Sequence, residues 1–567
     1  MINFLKFYTK HSNKVFLIFF LVITTFASLL ESFSILAVLP IINILLELNA
    51  NEVTKYILFM ENFNFLNIEV NEKFLLIISF SIIIMSSVIN FINVILLQFN
   101  TYRTGQNISV KLFKSYLNKN YNYFLNKNSS ELTKNLISES QRLTDGIILQ
   151  FLTLIPKIIS TSFIVVVLLF YNLKITTYII LIFLIFYCSY YFLIKKKLLN
   201  LGRGASEYLN SIHQVLKESF SLIDVIKIRN KNFFFIKKYF NSTNSFANYN
   251  ISSSLLSIFP KYLFEFVFFA CLLLILLNFY ETNTNLIQLI PTLGLYFFAF
   301  FRLMPHIQSI YQSFSTFNLN LNSFEIIRSD INSIINKKDK KFYKEKQEFE
   351  KIIIKNITFK YVNTKNFFKI KNFQIKKGEK IAIIGRSGTG KSTFLKILCG
   401  LLNKNEGYFE IFGKNNRPID KKQFFTTSVS YLTQNIFLLD ENIANNVAFG
   451  EKNINYEEVY KNLSLSNFPK LKKKHILNNL IGDNGIKLSG GQRQRLAIAR
   501  LLYENNNFFI LDEFDNALDK ENIKIISKLF FLNDDKTIIF STHNQDLLKN
   551  ADKIYEFKNN KLVNITL

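Results

Sequence analysis

The sequence predicts a multidomain membrane protein: an all-α six-helix transmembrane domain followed by an α/β P-loop nucleotide-binding domain. Three observations carry this prediction. Apolar runs long enough to cross a bilayer crowd residues 1–330 and stop there. From 351 onward, short β-rich runs such as KIIIKNITF, KIAIIG and FFILDE alternate with helical stretches, as in an α/β domain. Between one such strand and one such helix stands GRSGTGKS, Gly385 to Ser392. A mean hydropathy of +0.18 over 567 residues, 49% of them hydrophobic, fits the membrane class.

A spanning helix needs about 20 mostly apolar residues. Six stretches qualify: 15–46, 74–99, 147–171, 175–194, 255–280 and 286–311. The first continues too far to be a cleavable signal peptide. Loop charge orients them. Residues 103–142 carry seven Lys/Arg against two acids, and 195–238 carry ten against three, whereas 47–73 hold five acids and two lysines. Excess Lys/Arg marks the cytoplasmic side. The N-terminus, both large loops and the C-terminal half are therefore expected inside a bacterial inner (cytoplasmic) membrane. In 196–230, Leu198, Leu201, Leu209, Ile212 and Leu216 recur at helical spacing, so the membrane helices are expected to run on into the cytoplasm. Polar turns near 119–128 and 219–230 would be the tips of these hairpins. Residues 50–68 read as an amphipathic helix outside the membrane.

The domain boundaries expected are 1–330 for the membrane domain, 331–350 for a charged linker, and 351–567 for the nucleotide-binding domain. The formal charge of +27 divides into +11 before residue 331 (27 basic, 16 acidic) and +16 after it (41 basic, 25 acidic). In the membrane half the excess sits in the cytoplasmic loops and elsewhere it is largely surface lysine, so it does not call for nucleic acid. The three cysteines, Cys188, Cys271 and Cys399, have no ligand spacing and form neither a disulfide framework nor a zinc site.

In GRSGTGKS, the glycines Gly385, Gly388 and Gly390 let backbone N–H groups close around phosphate oxygens at a helix N-terminus. Arg386, Ser387, Thr389 and Thr393 complete the loop and its exit. Lys391 would reach the β- and γ-phosphates, and Ser392 would hold Mg²⁺. In FFILDE, four apolar residues form a buried strand ending in two carboxylates. Asp512 would bind Mg²⁺ through water, and Glu513 is placed to polarise an attacking water. A third motif, LSGGQRQRLAIARLL from Leu488, sets Ser489, Gly490, Gly491 and Gln492 at the start of a helix, another anion-binding geometry.

With this third motif the chain resembles the ATP-binding cassette (ABC) proteins over about 350–560. The resemblance implies that Ser489–Gln492 face the γ-phosphate held by the other subunit's P-loop, so that two ATP lie at a dimer interface. It implies that Tyr361 stacks on adenine, that Gln434 in YLTQNIF senses Mg²⁺, that Asp519 in NALD lies across the interface, and that His543 in STHNQD contacts γ-phosphate. Asn516 stands where the family usually has Ser, and Asn544 where Arg is common. One complete motif set per chain implies a homodimer, or a heterodimer with a paralogue.

Six spans fused ahead of the cassette resemble ABC exporters, and IGDNG before LSGGQ resembles their exporter-specific loop. ESFSILAVLP (31–40), the segment 50–68 and FRLMP (301–305) resemble the lipid-linked oligosaccharide flippases of bacterial protein glycosylation. That resemblance implies ATP-driven movement of a polyprenyl-pyrophosphate-linked oligosaccharide. The alternative is export of hydrophobic or amphipathic small molecules, lipids or peptides. Ionisable residues inside a span usually face a cavity or a partner. Arg103, Lys261 and Arg302 are therefore substrate candidates. The competing expectation pairs Arg302 with Glu31 or Glu265 and lets Lys261 and Arg103 snorkel.

Overall fold

The computed structural model describes residues 2–45, 72–281, 286–332, 345–360, 367–403, 405–469, 479–558 and 561–565. It divides into two compact units, Met1–Lys119 with Tyr123–Lys337, and Asn120–Asn122 with Lys338–Leu567. The expected amphipathic segment 50–68 and Tyr361 lie outside the described residues.

The first unit is built of long helices: Lys14–Leu36, Glu72–Leu117, Ser129–Tyr171, Leu173–Ser221, Asn232–Glu281 and Leu286–Asn332. Among the described residues, four are long and apolar enough to cross a bilayer by length and composition: Lys14–Leu36, Lys73–Leu117, Ser129–Tyr171 and Asn232–Ala270. The other two expected spans fall on Leu173–Ser221 and Leu286–Asn332, where many side chains are not described.

Two expectations need correction. The first stretch, 15–46, is not continuous: the helix ends at Leu36, Ala37 caps it, and a new helix runs Val38–Leu45. Pro40 falls in the first turn of that second helix, where a missing N–H costs nothing. The hairpin tips are not plain turns either. They hold short helices, Tyr121–Asn126 and Ile223–Ile228.

The helix Ser129–Tyr171 is α-helical except for two π-helical stretches, Asn135–Glu139 and Thr144–Ile148. Between them the chain turns charged groups inward. Glu139 is fully buried, with Lys134 at 3.7 Å and Arg142 at 3.2 Å. Ser323 donates to Glu139 at 2.5 Å, and Ser206 donates to its other oxygen. Arg142 also donates to Asn320 at 2.9 Å. Gly202 lets its helix approach the backbone of Leu319, since a Cβ there would come within 2.0 Å of that carbonyl oxygen.

The second unit carries a nine-stranded sheet among the described residues. Its strands are β1 (Lys351–Lys360), β2 (Phe367–Lys376), β3 (Lys380–Gly385), β4 (Glu406–Phe412), β5 (Val429–Leu432), β6 (Phe508–Asp512), β7 (Thr537–Ser541), β8 (Lys553–Lys558) and β9 (Lys561–Asn564). The order is β4-β1-β2-β9-β8-β3-β7-β6-β5. Strands β5, β6, β7, β3 and β8 pair in parallel, and β1 pairs antiparallel with β2 and β4. Parallel strands are covered on both faces, which is why KIAII and FFILD are continuous apolar runs instead of alternating ones. The carboxyl ends of adjacent β3, β6 and β7 deliver Gly385, Asp512 and Ser541 to one edge, where α/β sheets bind ligands.

Candidate nucleotide site

After β3 the chain enters the glycine-rich loop. Gly385, Gly388 and Gly390 have φ of +148°, +79° and +108°. Side chains other than glycine rarely occupy that region, and the three residues let the loop fold back above the helix Lys391–Leu398. Thr389 Oγ1 donates to the Arg386 carbonyl at 2.8 Å, fixing the loop's turn, and Ser387 sits exposed on its rim. Ser392 and Thr393 lie in the first helical turn. Lys391 Nζ bends back over the loop, donating to Gly385 O at 2.7 Å and Arg386 O at 3.3 Å, with His543 Nε2 at 3.3 Å. Burial pushes the Lys391 ammonium below the ordinary lysine value, and the carboxylates of Glu513 and Asp512 pull it back. The cation is therefore held at the loop with both carboxylates within its field.

Strand β6 ends on Asp512, 1% exposed, whose Oδ1 accepts from Ser541 Oγ at 2.7 Å. Glu513 then turns into the left-handed region with φ +51°. Its N–H donates to Ser541 Oγ at 3.0 Å. The turn swings the Glu513 side chain out of the sheet. There its Oε2 accepts from Gln434 Nε2 at 2.8 Å and from Asn516 Nδ2 at 2.5 Å. His543 Nε2 lies 3.6 Å from Oε1. Lys391, Gln434, Asp512, Glu513 and His543, drawn from segments more than 100 residues apart, thus form one cluster. Sequence reasoning did not find two members, Ser541 and Asn516. Ser541 is one residue in a strand of similar apolar ones. Asn516 was read only as a departure from Ser.

Ser489 caps the helix Gly490–Tyr503 with a full capping box: Gln492 N donates to Ser489 Oγ at 3.2 Å and Ser489 N to Gln492 Oε1 at 2.9 Å. The first-turn backbone of Gly490 and Gly491 is left free of side chains, with Gly491 close to the Ala517 carbonyl. Asp519 caps the helix Lys520–Phe531 by accepting from Asn522 N at 2.8 Å. That contact, with the Asn522 side chain, holds its carboxyl below the usual aspartate value.

The three membrane candidates each have a partner. Arg302 lies 3.9 Å from Glu31, which also takes His306 Nε2 at 3.0 Å, so of the two pairings expected for Arg302 the one with Glu31 is present. Lys261 lies 3.9 Å from Glu265. Arg103 donates to Gln106 at 3.1 Å. His306, which completes the buried Glu31 cluster, was not foreseen.

The residues that would hold a nucleotide and its metal fit such a group. A loop of three positive-φ glycines cradles the start of a helix, and no atom lies within 4 Å of where a Cβ at Gly388 would stand. One lysine and two carboxylates converge beside it.

The profile "ABC transporter transmembrane region" matches residues 14–309, and the profile "ABC transporter" matches 368–516. The ATP-dependent lipid A-core flippase of Blochmanniella floridana is 36% identical over 219 residues, 37% of this chain and 37% of that protein. That of Vibrio parahaemolyticus is 31% identical over 278 residues, 47% of each. The matches thus span less than half the length of these relatives. A bacterial Atm1-family ABC exporter solved with ATP bound superposes at a TM-score of 0.79, covering 97% of this chain and 95% of its own at 16% identity. That likeness is one of fold.

Proposed function

We propose that this chain, which belongs to the ABC transporter family, is an exporter half-transporter that hydrolyses ATP to move a lipid-linked substrate across the bacterial inner membrane. The carrying observation is the convergence of Lys391, Asp512, Glu513, Gln434 and His543 in a unit fused to apolar helices. When bound, ATP supplies the γ-phosphoryl group given to water, and Mg²⁺ supplies charge neutralisation for it. The chain's own residues do the rest. The loop Gly385–Gly390 offers N–H donors, and Lys391 and Ser392 would hold phosphate and metal. Asp512 and Gln434 would orient the metal's water shell. Glu513 accepts the proton of the attacking water through Oε1, and His543 fixes the γ-phosphoryl oxygen beside it. Ser489–Gln492 and Asp519 serve the partner's site, which makes two copies the working unit, in the homodimer or with a paralogue.

The basic loops 103–142 and 195–238 place the N-terminus and the nucleotide-binding domain in the cytoplasm. The substrate we favour is a polyprenyl-pyrophosphate-linked oligosaccharide, moved from the inner to the outer leaflet. The buried Glu31–His306–Arg302 cluster supports a polar path through the membrane unit, since such groups are costly in hydrocarbon. The test is reconstitution in liposomes with labelled lipid-linked glycan. Outward appearance of the glycan on ATP addition is expected, and ATPase turnover without it overturns the substrate. A second reading, a lipid not built on a polyprenyl chain, is favoured by relatives that carry the name of lipid A-core flippases.

A further inference from the structure

A cavity of about 740 Å³ opens between the helices Leu173–Ser221 and Asn232–Glu281. Its polar lining comes from Lys196, Lys197, Asn200 and Tyr208 on the first helix and from Asn248 and Tyr249 on the second. Among the described residues no Asp or Glu lines it. We propose that this recess binds the phosphate-bearing head group of a membrane lipid at the cytoplasmic boundary of the bilayer.

The position follows from the sequence. Lys196 and Lys197 come directly after the apolar run 175–194, and Asn248 and Tyr249 come just before the apolar run 255–280. Both walls therefore change from apolar to polar at the same level, where head groups lie. The charge is right. Two exposed ammonium groups face the recess, and Tyr249 interacts behind it with Arg142. Arg142 and Lys134 share the single carboxylate of Glu139, so the inner wall also carries one positive charge in excess. Amide and phenol groups supply further donors to phosphate oxygens.

A place for the chains exists too. Leu193 lines the membrane end, and Phe192, Leu255 and Phe259 present exposed apolar surface near it. Tyr190 stacks on Phe259 at 5.5 Å, bracing the two helices there. A cationic recess beneath an apolar wall suits an amphiphile with a phosphate at the junction. A free anion would have no use for the wall.

The site rests on the reading of the substrate as a phosphate-bearing lipid and on the cytoplasmic placement of the basic loops. It is tested on the full chain, purified in detergent, by binding of undecaprenyl pyrophosphate compared with undecaprenol and with inorganic pyrophosphate. The pyrophosphate lipid is expected to bind more tightly than the alcohol by about 10-fold or more. Lys196→Gln/Lys197→Gln is expected to remove that difference, Lys196→Arg/Lys197→Arg to keep it, and Asn248→Ala to weaken binding with the charges intact. Inorganic pyrophosphate at equal concentration is expected not to compete.

Unchanged binding in the double Gln variant overturns the site. Equal competition by inorganic pyrophosphate overturns the lipid and leaves a simple anion site. Where the wild type binds as expected yet flips no labelled glycan, the substrate reading fails and the lipid site stands. Where it flips but the Gln variant binds normally, the site fails and the substrate reading stands.

Discussion

Asn516 donates its side-chain amide to Oε2 of Glu513 at 2.5 Å, on the same oxygen that Gln434 reaches at 2.8 Å. Two donors pin one oxygen and leave Oε1 toward His543. Asn516 is thus a positioning residue for the proposed base. Asn516→Ala is expected to lower kcat by about 10-fold, near the worth of one hydrogen bond to a charged group at about 1.5 kcal/mol. KM for ATP should stay within about twofold, because no ground-state contact is lost. A change in KM with kcat intact would show that Asn516 shapes the nucleotide pocket instead.

Glu513→Gln removes the proton acceptor while keeping size and amide contacts. ATP hydrolysis by the reconstituted protein should fall by about 100-fold or more, with ATP retained after gel filtration. Turnover within a few-fold of wild type would remove Glu513 from the role given to it.

Glu139 bridges two cations and two hydroxyls without any exposure to solvent. Replacing it by Ala leaves Lys134 and Arg142 buried without a counter-charge, a cost of about 3–5 kcal/mol in comparable buried pairs. The melting temperature of the detergent-solubilised chain should drop clearly, and Glu139→Gln should recover part of the loss through its remaining acceptor. A Glu139→Ala melting temperature within about 2 °C of wild type would contradict the bridging role.

Burial pushes the Glu504 carboxyl above the usual glutamate value; contacts with Ser430, Arg500 and Lys346 only partly oppose it. A raised value means that the fold prefers the protonated group. Its stabilising contribution is complete below the ordinary carboxylate range and is lost as pH rises through the raised value. Glu504→Gln keeps an acceptor for Ser430 without the charge. It should melt higher than wild type at about pH 7.5, and the gap should close as the buffer is acidified through the carboxylate range. A gap that widened on acidification would reverse the sign.

What the sequence disclosed was what is local. GRSGTGKS needs only its own glycines, strand and helix, and Ser489 with Gln492 is a capping box three residues apart. Long apolar runs announced the helices because a bilayer demands length. The break at Ala37 had a signal in Pro40 that an unbroken apolar run concealed. The short helices Tyr121–Asn126 and Ile223–Ile228 are too brief for periodicity to register. Glu139 escaped notice because the two π-helical stretches shift the helical phase around it, so no 3.6-residue pattern turns it inward. Glu31 and His306 are 275 residues apart, and only the fold could join them.

Glu513 also bears on how this chain would respond to selection. Its left-handed backbone is one that glycine or asparagine occupies more comfortably. A library sorted for heat resistance alone would be drawn to those replacements, and would discard the carboxylate on which turnover depends. Robustness and activity therefore pull in opposite directions at this one position, and engineering the chain for durability would have to hold it fixed.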